Sequence, residues 1–555
     1  MGSEAKCRAV SARRHGTGDA MRRAFLSLLC LVCLVCAATT TLASCRSGDG
    51  ASTSSATRTV NPAWSSPAAP FSRLVLGHNT VWSRGGLGLW DDAAHAPSAP
   101  VLALVRDLHP GILRFPGGTR AMRYHFAEAI GPLGARVPQC DSFLGTADAT
   151  SYGLDEFLSV ASAVSAEVTL VAPWVDGSPQ ETAALVAYVN GDASSSVHIG
   201  MDANATDWGT AGEWAQRRGA NGHPAPYGVR FIEIGNEQYL DLAVGPLTSC
   251  GRPSQFKQDE RWVSGNAIPT TAADYAAQVV ATARLVRAID PIIRIGASAY
   301  SSFDGVSDAS KESGDVDHKL GSADGWNARL VTSAADAFDF FILHPYDLTA
   351  SDNRLRLAER LRKSVRDLRA LAPGKGIAVT EFGFLGGGDT LMNAIVTADV
   401  ARVAIEENLV MSLRHILVED DASGLFANAA AILGPDHART PAYEVMQAMA
   451  TTLSGHHVPT KEPAPDIEAL VTRDAAGAIA LVILDRRTDA TDATSLDVAL
   501  PASSFHATVT AIHGPALGSK AAEVTVDRAE TSASGVLHVT MPANGVLVAR
   551  LVVSP

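Results

Sequence analysis

Eight short runs of β-branched, aliphatic and aromatic residues recur through the middle of this chain, alternating with sequence whose apolar residues keep helical spacing. The runs are read at residues 73–77, 111–115, 167–172, 229–234, 291–296, 338–343, 376–384 and 413–418. Helical stretches are read at 97–108, 154–164, 180–189, 271–290, 353–371, 391–408 and 441–453, with an irregular insertion after residue 189. Short, continuously apolar strands are buried on both faces, and parallel neighbours need a crossover of a dozen or more residues, which a helix supplies. Eight such units are the count of a (β/α)8 TIM barrel. A doubly wound open sheet is the competing arrangement. It calls for a glycine-rich fingerprint opening the first helix, whereas Pro116-Gly117-Gly118 is too short and follows the second run.

Past residue 462 the helical period disappears. Apolar runs at 467–472, 478–484, 495–500, 506–513, 522–526, 536–541 and 546–552, separated by turn residues, predict an appended antiparallel β-sandwich. The fold class expected is therefore α/β, a (β/α)8 barrel over residues 71–461 with a C-terminal antiparallel sandwich over 462–555. Residues 46–70 are mostly Ser, Thr, Ala, Gly and Pro with almost no apolar periodicity, a composition that predicts a disordered tether.

Residues 1–45 read as an export signal: basic Arg22-Arg23, an apolar run from Ala24 to Ala38, then Leu42-Ala43-Ser44-Cys45. The last four resemble the lipobox of bacterial lipoproteins. In that reading Cys45 becomes the acylated first residue of a protein exported to the bacterial cell envelope and anchored to a membrane. A buried helix and a plain secretory signal are the alternatives, and translation from Met21 would give a leader of more usual length. The formal charge of −13 becomes −17 once residues 1–44, with six Lys or Arg and two acids, are removed. That balance argues against a nucleic-acid partner. Four of the seven cysteines fall in the leader and Cys45 is the lipid site, which leaves Cys140 and Cys250. In an exported protein these two can pair as a disulfide or stay as two thiols. No zinc-type spacing is present, and neither a metal nor a cofactor is expected.

Barrel proteins gather their functional side chains at the carboxyl ends of the strands. Two runs here end in glutamate: residues 229–234 lead into Gly235-Asn236-Glu237, and residues 376–379 into Thr380-Glu381-Phe382-Gly383. Taken alone, Glu237 reads as readily as a helix cap or a surface ion pair. A second strand of the same design changes the balance, because two carboxylates on one barrel face can flank a glycosidic bond. Arg114, Trp174, Asn236, His344 and Tyr346 also fall at strand ends and are the candidate substrate-binding residues. Arg114 and the Tyr346 hydroxyl are placed to keep Glu381 anionic as nucleophile, leaving Glu237 as acid and base. Asn236 is placed to meet the hydroxyl next to the reacting carbon.

Glu237 and Glu381 resemble the signature of clan A retaining glycoside hydrolases. Within that clan, Leu113-Arg114-Phe115-Pro116-Gly117-Gly118, Tyr152-Gly153-Leu154-Asp155-Glu156-Phe157, Ala187-Tyr188-Val189-Asn190 and Trp214-Ala215-Gln216-Arg217-Arg218-Gly219 are similar, in order, to α-L-arabinofuranosidases. The resemblance implies a retaining enzyme that acts on non-reducing-end sugars of plant or microbial polysaccharides, with an oligo- or polysaccharide as its partner. The chain departs from that family at Thr119 (usually Asn), at Gly77-His78-Asn79 (usually carrying Glu-His) and at Phe382-Gly383 (usually Trp-Asn). A β-glucuronidase or β-xylosidase of the same clan is the alternative enzyme. An inactive, surface carbohydrate-binding lipoprotein is the alternative of another class.

Overall fold

The computed structural model describes residues 58–66, 70–141, 146–174, 177–239, 271–300, 325–347, 352–384, 388–419, 430–461, 463–501, 504–531 and 535–553. The leader, Cys45 and Cys250 lie outside them.

Eight parallel strands form the central sheet: β1 (Gly77–Asn79), β2 (Ile112–Phe115), β3 (Glu167–Ala172), β4 (Phe231–Ile234), β5 (Arg294–Ser298), β6 (Phe340–Leu343), β7 (Gly376–Val379) and β8 (Leu413–Arg414). Each lies beside its neighbour in sequence, and β8 pairs with β1. A parallel bridge between Val379 and Ser412 closes the circle. Helices cover the outside, among them Leu154–Ala163, Pro179–Asn190, Ala272–Ile289, Leu357–Leu371, Leu391–Glu406 and Pro441–Thr452.

The interior shows why this barrel carries a site at one end. Ile112, Phe231, Ile342, Ala378 and Leu413, with Leu74, Phe340 and Met411, make one apolar cluster inside the ring. Side chains two residues apart share a strand face. The next inward positions are therefore Arg114, Glu233, His344, Thr380 and His415, all buried, and Asn79 stands at the corresponding place two residues after Gly77. A dry lower layer is thus capped by a polar upper layer at the strand ends.

Several elements differ from the sequence-based expectation. Residues 73–75 form a 3-10 turn rather than the start of β1, because the Ser72 hydroxyl accepts from the Leu74 N–H and turns the chain. The strand β5 begins three residues late, since Asp290 Oδ1 accepts from the Ile292 and Ile293 N–H groups. The insertion after residue 190 holds a helix, Ala211–Ala220, opened by a capping box of Thr210 and Glu213. The run at 413–418 does not stay in the barrel ladder. His415 N–H donates to the Phe382 carbonyl and Leu417 N–H to that of Asn79, and Val418–Glu419 pairs instead with Ile432–Leu433.

The second domain has a six-stranded antiparallel sheet, ordered His456–Val458, Ile467–Arg473, Ile479–Asp485, Val546–Val553, Phe505–His513 and Glu523–Glu530. Its partner sheet has three strands, Arg58–Val60, Thr494–Ala499 and Val536–Met541. Two corrections follow. The stretch read as a tether contains a strand, because Val60 is fully buried between the sheets and pairs in parallel with Val498. The sandwich also takes in residues 456–458, before the expected boundary at 462. Ile479–Asp485 is buried at every position. Leu481 and Ile483 face the small sheet, while Ala480, Val482 and Leu484 join the core that includes the helices Leu391–Glu406 and Pro441–Thr452. A sheet covered on both faces can be apolar throughout, which explains its run Ile-Ala-Leu-Val-Ile-Leu. At the rim of this contact, Arg402 pairs with Asp399, Glu406 and Glu468, and Arg486 with Asp399, Glu359 and Glu468.

Candidate active site

The strand β4 delivers its glutamate through a tight reversal. Gly235 has φ +70°, and a side chain there would also collide with Gln238, 2.4 Å from an added Cβ. Glu237 itself is left-handed at φ 55°, a conformation that costs a non-glycine residue about 1 kcal/mol or more and is found at functional sites. Opposite it, Glu381 stands just past the end of β7, after Thr380. One carboxylate oxygen of each residue and one ring nitrogen of His344 all lie within 4.8 Å of one another.

The two carboxylates have different surroundings. Glu381 Oε1 accepts from Arg114 Nη1 at 2.6 Å, and Oε2 accepts from the Tyr346 hydroxyl at 2.8 Å. His415 Nδ1 lies 3.9 Å from Oε2. Burial alone would raise the Glu381 pKa, but His344, Arg114, His415 and the Tyr346 hydroxyl outweigh it and bring it down to about 2. Burial drives His415 down to about 4, with Glu381 opposing and Arg114, Arg120 and His344 assisting, so Arg114 is the cation that persists beside Glu381 at neutral pH. Burial, and then the charges of Glu381 and Glu237, raise the Tyr346 phenol well above 10 and keep it a donor. Glu237 has no arginine on it. Its Oε1 meets His344 Nδ1 at 3.0 Å, and its side chain is 14% exposed against 7% for Glu381.

Arg114 organises this end of the barrel. Fully buried on β2, it donates from Nε to Glu233 Oε2 (2.9 Å), from Nη1 to Asn79 Oδ1 (2.9 Å) and Glu381 Oε1, and from Nη2 to Asn236 Oδ1 (2.9 Å). A buried guanidinium is tolerated only with such partners. By occupying Asn236 Oδ1 it leaves the Asn236 amide as a buried donor without a protein acceptor, available to a hydroxyl on a bound ligand. Gly118, in the Pro-Gly-Gly turn after β2, approaches from the other side, and an added Cβ would sit 2.4 Å from Glu381 Oε1.

The structure brings together Arg114, Asn236, Glu237, His344, Tyr346 and Glu381. Trp174, after β3, packs against Tyr275, with ring centroids 5.1 Å apart. Asn79 has both ends of its amide engaged, by Arg114 and by the Thr380 carbonyl, and so buttresses the arginine. Cys140 is disulfide-bonded. Three participants had not been singled out in the sequence. Glu233 left a signal, a lone charge inside Phe-Ile-Glu-Ile, and a charge buried in a strand must have a partner. Thr380 is masked by standing next to Glu381, and His415 by the continuous look of residues 413–418. Glu237, His344 and Glu381 are the one group of three metal-type donors among the described residues, but the Arg114 cation bonded to Glu381 disfavours an ion there.

The barrel thus carries, at one end, the strand-four Asn-Glu and strand-seven Glu on which the sequence resembles clan A glycoside hydrolases, with an arginine between them. Residues 104–284 match the α-L-arabinofuranosidase 1 domain family. The chain is 24% identical over 246 residues to an intracellular exo-α-(1→5)-L-arabinofuranosidase of Bacillus subtilis, covering 44% of this chain and 38% of that one. It thus spans well under half the length of that curated relative. Among solved structures, the α-L-arabinofuranosidase of Thermotoga maritima superposes with a TM-score of 0.67 at 19% identity, covering 89% of this chain and 99% of that one. A family 51 α-L-arabinofuranosidase from Bifidobacterium longum gives 0.68 at 17%, with the same coverage. Residues 104–284 are thus similar to the α-L-arabinofuranosidase 1 domain, and the fold is shared with these solved α-L-arabinofuranosidases.

Proposed function

We propose that the protein is a retaining glycosidase, with an α-L-arabinofuranoside at the non-reducing end of a plant or microbial polysaccharide as its substrate. The observation that carries the retaining mechanism is the approach of Glu237 and Glu381 oxygens to within 4.8 Å. Retaining pairs stand about 5 to 5.5 Å apart, inverting pairs about 6.5 Å or more. In the first step a Glu381 oxygen bonds the anomeric carbon as the bond to the leaving oxygen breaks, and that oxygen takes the proton of Glu237. In the second, Glu237 removes a proton from water, the water oxygen bonds the anomeric carbon and Glu381 departs. Arg114 and Tyr346 hold Glu381 in its ionised form. The Asn236 amide faces the neighbouring hydroxyl, where a hydrogen bond that strengthens in the transition state raises kcat.

The named relatives support the arabinofuranoside. Thr119 and Phe382-Gly383 depart from their pattern, and the β-glucuronide and β-xyloside readings remain the competing substrates. A panel of nitrophenyl glycosides tests this: turnover is expected to be fastest on the α-L-arabinofuranoside. A β-glucuronide or β-xyloside cleaved as fast rejects the sugar, and no turnover of any glycoside rejects the enzyme in favour of a binding protein. Azide is expected to rescue Glu381→Ala as a glycosyl azide of inverted configuration, and rescue of Glu237→Ala in that configuration would exchange the two roles.

We also infer export to the bacterial cell envelope and acylation at Cys45, from the charged, apolar and small-residue order of residues 22–45. Cys45→Ser is expected to leave an uncleaved, unlipidated precursor. Release of the same soluble mature form from both proteins would reject the anchor.

A further inference from the structure

Behind the acid Glu237 runs a buried chain of hydrogen bonds whose proton directions can be counted. Glu233, fully buried, receives Arg114 Nε and the Thr380 hydroxyl on Oε2, at 2.9 and 3.0 Å, and the Thr169 hydroxyl on Oε1, at 2.9 Å. With three donors on it, it acts as an ionised acceptor. Thr380 has one hydroxyl proton, and Glu233 takes it. At His344 Nε2, 2.9 Å away, the threonine oxygen offers only lone pairs. Nε2 must therefore carry a hydrogen. Were Thr380 to donate to the ring instead, its bare oxygen would face a buried carboxylate.

The far side of the ring follows. A neutral imidazole protonated at Nε2 has a bare Nδ1, and Nδ1 stands 3.0 Å from Glu237 Oε1. Two bare atoms repel at that distance, so the contact is favourable only while one proton lies between them. Building on the retaining-glycosidase reading, we infer that Thr380, backed by Glu233, is a positioning residue that fixes the His344 tautomer and thereby keeps the proton loaded on the acid Glu237. Remove the threonine hydroxyl, and His344 is free to carry its hydrogen on Nδ1, donate it to Glu237 and favour the ionised, unproductive acid.

Among the described residues, the other charged or titratable groups facing this pair are Arg114 on β2, Glu233 on β4, Tyr346 after β6, Glu381 after β7 and His415 after β8. Arg114 keeps its charge, Glu381 is ionised above about 2, His415 is neutral above about 4, and Tyr346 stays protonated well above 10.

Two measurements on the full chain test the inference. In pH profiles of kcat/KM, Thr380→Val is expected to move the alkaline limb down by about one pH unit and to slow poor leaving groups about tenfold more than activated phenols. Thr380→Ser is expected to keep the wild-type limb. A limb unmoved in Thr380→Val, or moved equally in both variants, overturns the inference whatever happens to the absolute rate. The second measurement needs neither activity nor the folding of the Thr380 variants. In wild-type protein labelled with 15N-histidine, held below the alkaline limb and assigned by comparison with His344→Gln, the His344 Nε2 signal is expected to be that of a protonated nitrogen. A bare Nε2 overturns the assignment, and leaves the retaining-glycosidase reading standing on its own tests.

Discussion

Arg114 Nη1 and Glu381 Oε1 lie 2.6 Å apart inside the barrel, 267 residues apart in sequence. The same guanidinium reaches Glu233, Asn79 and Asn236, so Glu381, the neighbour of Glu237 and the buried scaffold share one rigid fork. A lysine carries the charge but offers a single point rather than a planar fork. Arg114→Lys is expected to lower kcat/KM by about 10²-fold or more and to lower the melting temperature as well. Steady-state rates and thermal melts on the same preparation check both, and near-wild-type rates would remove Arg114 from its proposed role.

The ionisation of Glu381 makes a pH prediction with a definite sign. Its folded pKa is depressed to about 2 from the ordinary 4.5, so its contribution to stability is present above pH 4.5 and is lost as pH falls through about 2. Glu381→Gln lacks that contribution. The melting temperature of the wild-type protein should therefore gain on that of Glu381→Gln as pH is raised from about 2 to about 5. A constant gap across that window would show that no such linkage exists.

The glycine at 118 is predicted to matter for rate more than for folding. A Cβ there would lie 2.4 Å from Glu381 Oε1, so Gly118→Ala must push Glu381 aside. A displacement of that size at a reacting atom costs on the order of 10²-fold in rate. The expected result is a large fall in kcat with a melting temperature close to wild type, and the reverse pattern would mean that the turn, not the carboxylate, had yielded.

The N-terminal strand sets where the chain can be trimmed. Val60 is fully buried and the Trp64 indole donates to the Ala499 carbonyl. A protein starting at Phe71 should therefore melt several degrees below one starting at Cys45, because burying one valine side chain is worth about 1.5 to 3 kcal/mol. Equal melting of the two would show that the strand adds nothing to the sandwich.

Charge at the edge between sandwich and barrel gives a last prediction. Arg486 is nearly fully buried and pairs with Asp399 and Glu468. Arg486→Met leaves those carboxylates with less cationic charge, and breaking a buried pair costs about 3 to 5 kcal/mol. Denaturant unfolding is expected to show a loss of this order, and a neutral result would assign the contact to its apolar residues alone.

What the sequence determined by itself is whatever neighbouring residues decide. Apolar runs of strand length between helical stretches set the barrel, and Gly235 ahead of Asn236 and Glu237 marked a strand end that must turn. The two glutamates were legible because each closes such a run. What only the tertiary structure decided rests on contacts between distant strands. Glu233 looked like an interruption of β4 until Arg114, Thr169 and Thr380 came around it from three other strands. His415 entered the site because the chain leaves the β8 ladder there to bond Phe382. The composition of residues 46–70 predicts a tether, yet Arg58–Val60 is ordered by pairing with a strand more than four hundred residues later. The physical reason is common to all three. A strand's period tells which side chains share a face, but the partners across that face, and hence the charge, hydrogen bonds and proton positions of a buried group, are set only when the barrel closes.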